Sequence, residues 1–133
     1  MFAHALLISP LYVGFFALML IALGIMVIRL RSQHGVPFGD GGRADLKIAT
    51  RIHGNFTEYV PLGLLVIVLV EASGYGPYWV HGLGIAFVVG RLAHAQGLTA
   101  KKQPSLGRMV GVILTFGMLV VGGVLLIATF LRA

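Results

Sequence analysis

The chain has no cysteine. Disulfides, protein thiolate nucleophiles and zinc sites built on cysteine are therefore excluded, and any thiol chemistry has to use a substrate thiol. Acidic residues are almost as scarce, four against ten Lys and Arg, which leaves a formal net charge of +6 over 133 residues. Charge of either sign is sparse too, at 11% of residues against about a quarter in a soluble domain. A cationic balance can mark a nucleic-acid binder, but these cations flank apolar runs and have no interleaved aromatics and no binding motif. Membrane orientation and anionic lipid account for them better, so no nucleic-acid partner is expected.

What the chain does have is apolar residues, 58% of the total, with a mean hydropathy of +0.96. Those values imply an integral membrane protein. Ala5 to Ile28 and Met109 to Leu131 contain no charged residue. At about 1.5 Å per residue, each exceeds the roughly 30 Å of a bilayer's hydrocarbon. Two further apolar stretches are interrupted by polar groups but are still long enough to cross. The expected fold is an all-α, four-transmembrane-helix bundle, a single domain over 1–133 with helices at about 5–30, 44–73, 78–98 and 107–131. Met1 to Leu11 carries no Lys or Arg and no small-residue cleavage site follows, so the first helix reads as a retained anchor rather than a signal peptide.

The cations set the orientation. Arg29, Arg31, Arg43 and Lys47 flank the first connection, Lys101, Lys102 and Arg108 the third, and the second has none. Connections one and three are expected in the cytoplasm, with both termini outside and Arg132 the single dissenting charge.

"SQHGVPFGDGGR", residues 32 to 43, has the composition of a turn-rich loop, and without a following Gly-Lys-Ser/Thr it is no phosphate cradle. Asp45 stands where a carboxylate complements the start of the second helix. "ASGYGPYW", residues 72 to 79, is the short outer turn, with Tyr75, Tyr78 and Trp79 expected as membrane-interface anchors. Small residues recur four apart as Ala86 and Gly90, Ala93 and Gly97, and Gly107 and Gly111, a spacing suited to close helix packing within or between chains.

Against this background "RIHGNFTEYVP", residues 51 to 61, stands out. Arg51, Asn55 and Glu58 are spaced i, i+4, i+7 along one face of the second helix, and His53 lies off that face. Arg91 and His94 are spaced i, i+3 on the third helix, with Leu98 a turn later. Counting from the outer turn places Glu58 and Arg91 at one depth, each about 20 Å in. They are therefore expected to meet in a shared polar site towards the cytoplasmic side, with Arg51, His94 and Arg108 nearby. A charge near the bilayer centre costs roughly 3 kcal/mol, so these groups have to face one another, water or a ligand. Three arginines then face a single Glu58, and the surplus asks for an anionic partner. An internal salt-bridge network fixing helix register is the plainer alternative. His81 and His94 share a helix at a spacing that could suit two haems, but only His53 is available on the second helix, so neither haem nor metal is expected.

The motif "RIHGNFTEYVP" resembles the signature of the MAPEG family, the membrane-associated proteins in eicosanoid and glutathione metabolism. The likeness extends to "GRLAHAQG" at 90 to 97 and to Arg108, and so spans most of the chain. The resemblance implies a homotrimer in membrane lipid, with sites between neighbouring subunits that hold glutathione and open to the cytoplasm. It implies glutathione-binding roles for Arg51, Asn55, Glu58, Arg91 and His94. It makes Arg108 the candidate catalytic arginine that stabilises the thiolate. Glutathione is then the co-substrate, its thiolate joined to a lipophilic electrophile or used to reduce a lipid hydroperoxide. The chain departs from eukaryotic members at Gly54, where they often carry Arg, and at Leu98, where they often carry Tyr. That leaner pattern is similar to small prokaryotic members and implies a bacterial inner membrane. A non-catalytic lipid- or anion-binding or transport module, with a structural buried Arg-Glu network, is the alternative. The essential Glu of small multidrug transporters has no counterpart in Ala5 to Ile28.

Overall fold

The computed structural model describes residues 6–132 and is all helical there. Helices α1 (Ser9–His34), α2 (Ala44–Ala72), α3 (Pro77–Leu98) and α4 (Leu106–Arg132) follow in chain order. The start expected for the first helix, Ala5, lies outside the described residues, and α1 begins at Ser9 behind Pro10, whose fixed φ suits a first turn. Gly35 closes α1 in the left-handed region at φ 63°, where a Cβ would be strained, and its neighbour Val36 donates back to Arg31 O.

Short connections force successive helices antiparallel, and the contacts agree. Phe16 of α1 meets Phe56 of α2, Phe87 of α3 packs at Gly63 of α2, and α3 and α4 touch from Gly97 beside Arg108 to Leu83 near Gly122. Three helices, α1, α2 and α4, are long and apolar enough to cross a membrane. α3 is diluted by His81, Arg91, His94 and Gln96, yet it packs along α4 from Gly97 beside Arg108 to Leu83 near Gly122.

The exterior of the bundle is apolar. Leu18 and Ile28 on α1 and Val120 and Ile127 on α4 are each at least 60% exposed, the surface a lipid-facing helix requires. Inside, bulky side chains are seated on glycine. The Tyr12 ring lies where a Cβ on Gly84 would stand, Phe87 likewise at Gly63, and Val66 at Gly122. Without a hydrophobic drive between helices in lipid, this close approach supplies the van der Waals contact that holds them together. The small residues noted in the sequence join α3 to α4 within one chain: Gly90 and Gly97 face Gly111 and Gly107.

Two polar ties close the end opposite the cationic connections. The carboxylate of Glu71, 7% exposed, accepts from the amides of Leu7 at 2.9 Å and of Ile8 and Ser9 at 2.7 Å. A residue 62 positions away thereby satisfies amides that a helix start leaves unpaired. Glu71→Ala is expected to lower stability by about 2 kcal/mol and to speed amide exchange at Leu7 to Tyr12, with Glu71→Gln milder because one acceptor remains. Thermal melts and hydrogen exchange in detergent check both. Tyr75, expected as a lipid-interface anchor, instead donates to Leu125 O at 2.9 Å and accepts from Thr129, tying the turn to α4. Tyr78 and Trp79 remain outside, 94% and 48% exposed.

Candidate functional site

The polar residues gather in the half of the bundle nearer the cationic connections, but they form two groups rather than one stripe. At about 100° per residue, Arg51 and Glu58 lie about 20° apart round α2, whereas Asn55 is turned about 40° from Arg51 and about 60° from Glu58. That offset straddles the edge of the α2 contact face. Arg51 and Glu58 fall outside it, their side chains 56% and 51% exposed, and pair through the two terminal guanidinium nitrogens at 3.0 and 3.4 Å. Asn55 falls inside, 7% exposed.

Arg91 does not reach Glu58, contrary to the meeting expected from depth alone. Its guanidinium is buried, donating to Asn55 Oδ1 and, at 3.1 Å, to Thr115 Oγ1 on α4, and it lies 5.4 Å from the centre of the Tyr59 ring. Depth counted along two helices says nothing about which way each has rotated, and here α3 turns Arg91 inward. The shared-site expectation is corrected accordingly: one exposed ion pair and one buried guanidinium held by neutral partners.

His94, a turn further along α3, is buried and lies in the electrostatic field of Arg91, Arg108 and Arg51. Arg108 is exposed and borders an open groove with Pro104, Met109, Val112 and Ile113. Its place is fixed by Gly97, where any Cβ would stand on the backbone of Gly107 and Arg108, and by Ser105, whose hydroxyl accepts from Arg108 N at 3.3 Å. His53 stays off the stripe, half-buried, and Leu98 is half-buried at the end of α3. His81 is engaged elsewhere, 2.8 Å from the Tyr12 hydroxyl through Nδ1. Asp45 crosses between helices, reaching His34 at 2.8 Å and its neighbouring amide of Leu46.

Thr115 and Tyr59 were not singled out from the sequence. Thr115 continues the spacing of Gly107 and Gly111 and is one of two hydroxyls, with Thr129, in a charge-free run, a signal for the face of α4 turned towards α3. Tyr59 lies four residues past Asn55, one turn on along the same face.

A glutamate midway along a spanning helix cannot be left to lipid. Glu58 lies about 21 Å along α2, whose 29 residues run about 43 Å, and its side chain opens to the outside of the single chain. The bundle and its inward and outward cations define an integral membrane protein with a polar site in one half of the membrane. The chain belongs to the MAPEG family, whose model matches residues 9–128. It is similar to Inner membrane protein YecN of Escherichia coli strain K12, 41% identical over 91 residues, 68% of this chain and 70% of that one. The same protein from E. coli O6:H1 matches equally. No solved structure matches significantly.

Proposed function

We propose that the protein is a glutathione transferase or peroxidase of the membrane, in which the thiolate of bound glutathione attacks a lipophilic electrophile or reduces a lipid hydroperoxide. The observation that carries this reading is the exposed pair of Arg51 and Glu58 on a spanning helix. A guanidinium and a carboxylate side by side are complementary to the carboxylate and ammonium of a glutamyl group, and glutathione brings both. Asn55 lies between them along the helix, with Arg91 and His94 behind it. Arg108 borders a groove with apolar Met109, Val112 and Ile113, where a thiolate and a lipid-soluble substrate can meet.

A second copy covering Arg51 and Glu58 removes the cost of facing them to lipid, and a homotrimer provides that cover in turn for every subunit. The cations flanking connections one and three support a cytoplasmic site with both termini outside. The kinship with Inner membrane protein YecN of E. coli supports the bacterial inner membrane.

The alternative, a binder without turnover, draws on the same geometry: Arg51 with Glu58, and Arg91 with Asn55 and Thr115, are already hydrogen-bonded within the chain. The two readings part in one assay on detergent-purified protein. The transferase reading expects glutathione added to the protein to show thiolate absorbance at neutral pH and to conjugate a lipophilic aryl halide or remove a lipid hydroperoxide. Glutathione bound only as the thiol, with neither reaction above the buffer rate, would leave the binder.

A further inference from the structure

Of the ten Lys and Arg, Arg132 alone lies at the end of the bundle opposite the cationic connections. It is exposed and meets no carboxylate among the described residues, because Glu71, the acid at that end, is taken up by the start of α1. Arg132 borders a recess of about 380 Å³ with Ser73, Tyr75 and Thr129. Those three hydroxyls already donate to Leu69 O and Leu125 O, which leaves the guanidinium to supply the donors of the recess.

Deeper along the same side of α4 is an apolar groove of about 500 Å³ between α3 and α4. Val121 in the groove, then Leu125, then Thr129 and Arg132 in the recess are spaced i, i+4, i+8 and i+11, one face of the helix. The Tyr75 ring of the recess and the Trp79 ring of the groove are 6.4 Å apart. Gly82 on α3 and Gly117 on α4 both line the groove, both are exposed, and a Cβ on either would meet nothing within 4 Å. At Gly97 and Gly111, by contrast, a Cβ would stand against the backbone of the facing helix. Gly82 and Gly117 therefore keep space open towards the bilayer rather than letting helices approach. Half of a bilayer's thickness, about 21 Å, is the rise from Met118 to Arg132, so the groove lies in the hydrocarbon of the leaflet whose headgroups Arg132 reaches.

We infer that this face binds one glycerophospholipid of the leaflet at that end, its phosphate on Arg132 and one acyl chain in the groove of α3 and α4. A phosphodiester is an anion held at headgroup level with a hydrocarbon chain attached below it, and the recess and groove offer a cation and an apolar slot in that order. A second copy of the chain in the same orientation brings an apolar helix but no free acidic side chain at that level, since Glu71 is buried and Asp40, Asp45 and Glu58 lie elsewhere along the helices and connections. The phosphate end is the opposite end from Arg108, so the site stands whether or not glutathione binds.

Trp79 is the sole tryptophan, so its fluorescence in full-length, detergent-purified protein reads the groove directly. A phospholipid with dibrominated acyl chains is expected to quench it saturably, and the matching dibrominated diacylglycerol, which lacks the phosphate, should need about fivefold more. Arg132→Gln should bring the phospholipid to the level of the diacylglycerol. Gly82→Leu with Gly117→Leu fills open space, so it should keep the wild-type thermal midpoint and lose the saturable quenching. Quenching that rises linearly with lipid and alike in wild type and the filled variant would mean bulk lipid only and would overturn the proposal. So would equal affinity of wild type for phospholipid and diacylglycerol, a comparison that needs no variant, or undiminished phospholipid binding by Arg132→Gln. No saturable quenching in wild type, together with a lower oligomeric mass of the filled variant in light scattering, would seat a second copy in the groove instead.

Discussion

Gly111→Leu is expected to separate α3 from α4 and to cost the fold about 3 kcal/mol, the upper end for forcing bulk into a packed interior. A Cβ at Gly111 would stand 2.6 Å from His94 Cβ and 2.7 Å from both Gly90 O and His94 N. Two of those three are backbone atoms and cannot rotate away, so α3 itself has to move. The displacement passes into the site, because His94 is one of the atoms' owners and Arg91, one turn earlier, reaches across to Thr115 on α4. Gly111→Leu should therefore lose thermal stability and glutathione binding together. Gly14→Leu is the control: no atom lies within 4 Å of its would-be Cβ, and its effect should stay within about 0.5 kcal/mol. Thermal melts of the two variants side by side measure the difference, and a Gly111→Leu protein as stable as wild type would rule out the close α3–α4 contact.

Arg108→Ala carries the second large effect, on chemistry rather than folding. The side chain is exposed and its aliphatic stem borders an open groove, so truncation opens no interior cavity and the fold should be kept. A cation within about 4–6 Å favours a thiolate and lowers a thiol's pKa by about one to three. From an ordinary value near 8.5, loss of that cation returns the bound thiol to mostly protonated at neutral pH. The thiolate fraction and kcat/KM should fall about ten- to a hundredfold, and the deficit should shrink as pH rises, because alkali then supplies the thiolate that the arginine no longer does. A pH profile of conjugation rate for wild type and Arg108→Ala makes the comparison. A uniform loss at every pH would assign Arg108 to binding or structure instead.

The spans were legible because charge-free runs in a chain of this hydropathy have few places to go. The small-residue spacing at Gly90, Gly97, Gly107 and Gly111 was equally legible, since only a helix contact explains a four-residue period of missing side chains. Its assignment to α3 with α4 needed the structure. Arg51, Asn55 and Glu58 could be placed along one side of α2, but a stripe spread over about 60° can lie across the boundary between a buried and an open face. The sequence does not say where that boundary falls. Depth counting put Glu58 and Arg91 at one level while leaving their rotation free, and rotation decided that Arg91 turns to Thr115. Glu71 gave no local sign of its part: a carboxylate capping a helix 62 residues upstream is a tertiary arrangement, visible only once α1 and α2 are antiparallel.

The exposed ion pair on α2 is the centre of the functional reading, and glutathione calorimetry on detergent-purified wild type, Arg51→Ala and Glu58→Ala tests it most directly. Wild type is expected to bind at millimolar affinity or better, with each variant weaker by at least about tenfold, because a ligand's carboxylate or ammonium loses its charged partner. No heat of binding from folded wild type, or undiminished affinity in both variants, would contradict a glutathione site at Arg51 and Glu58.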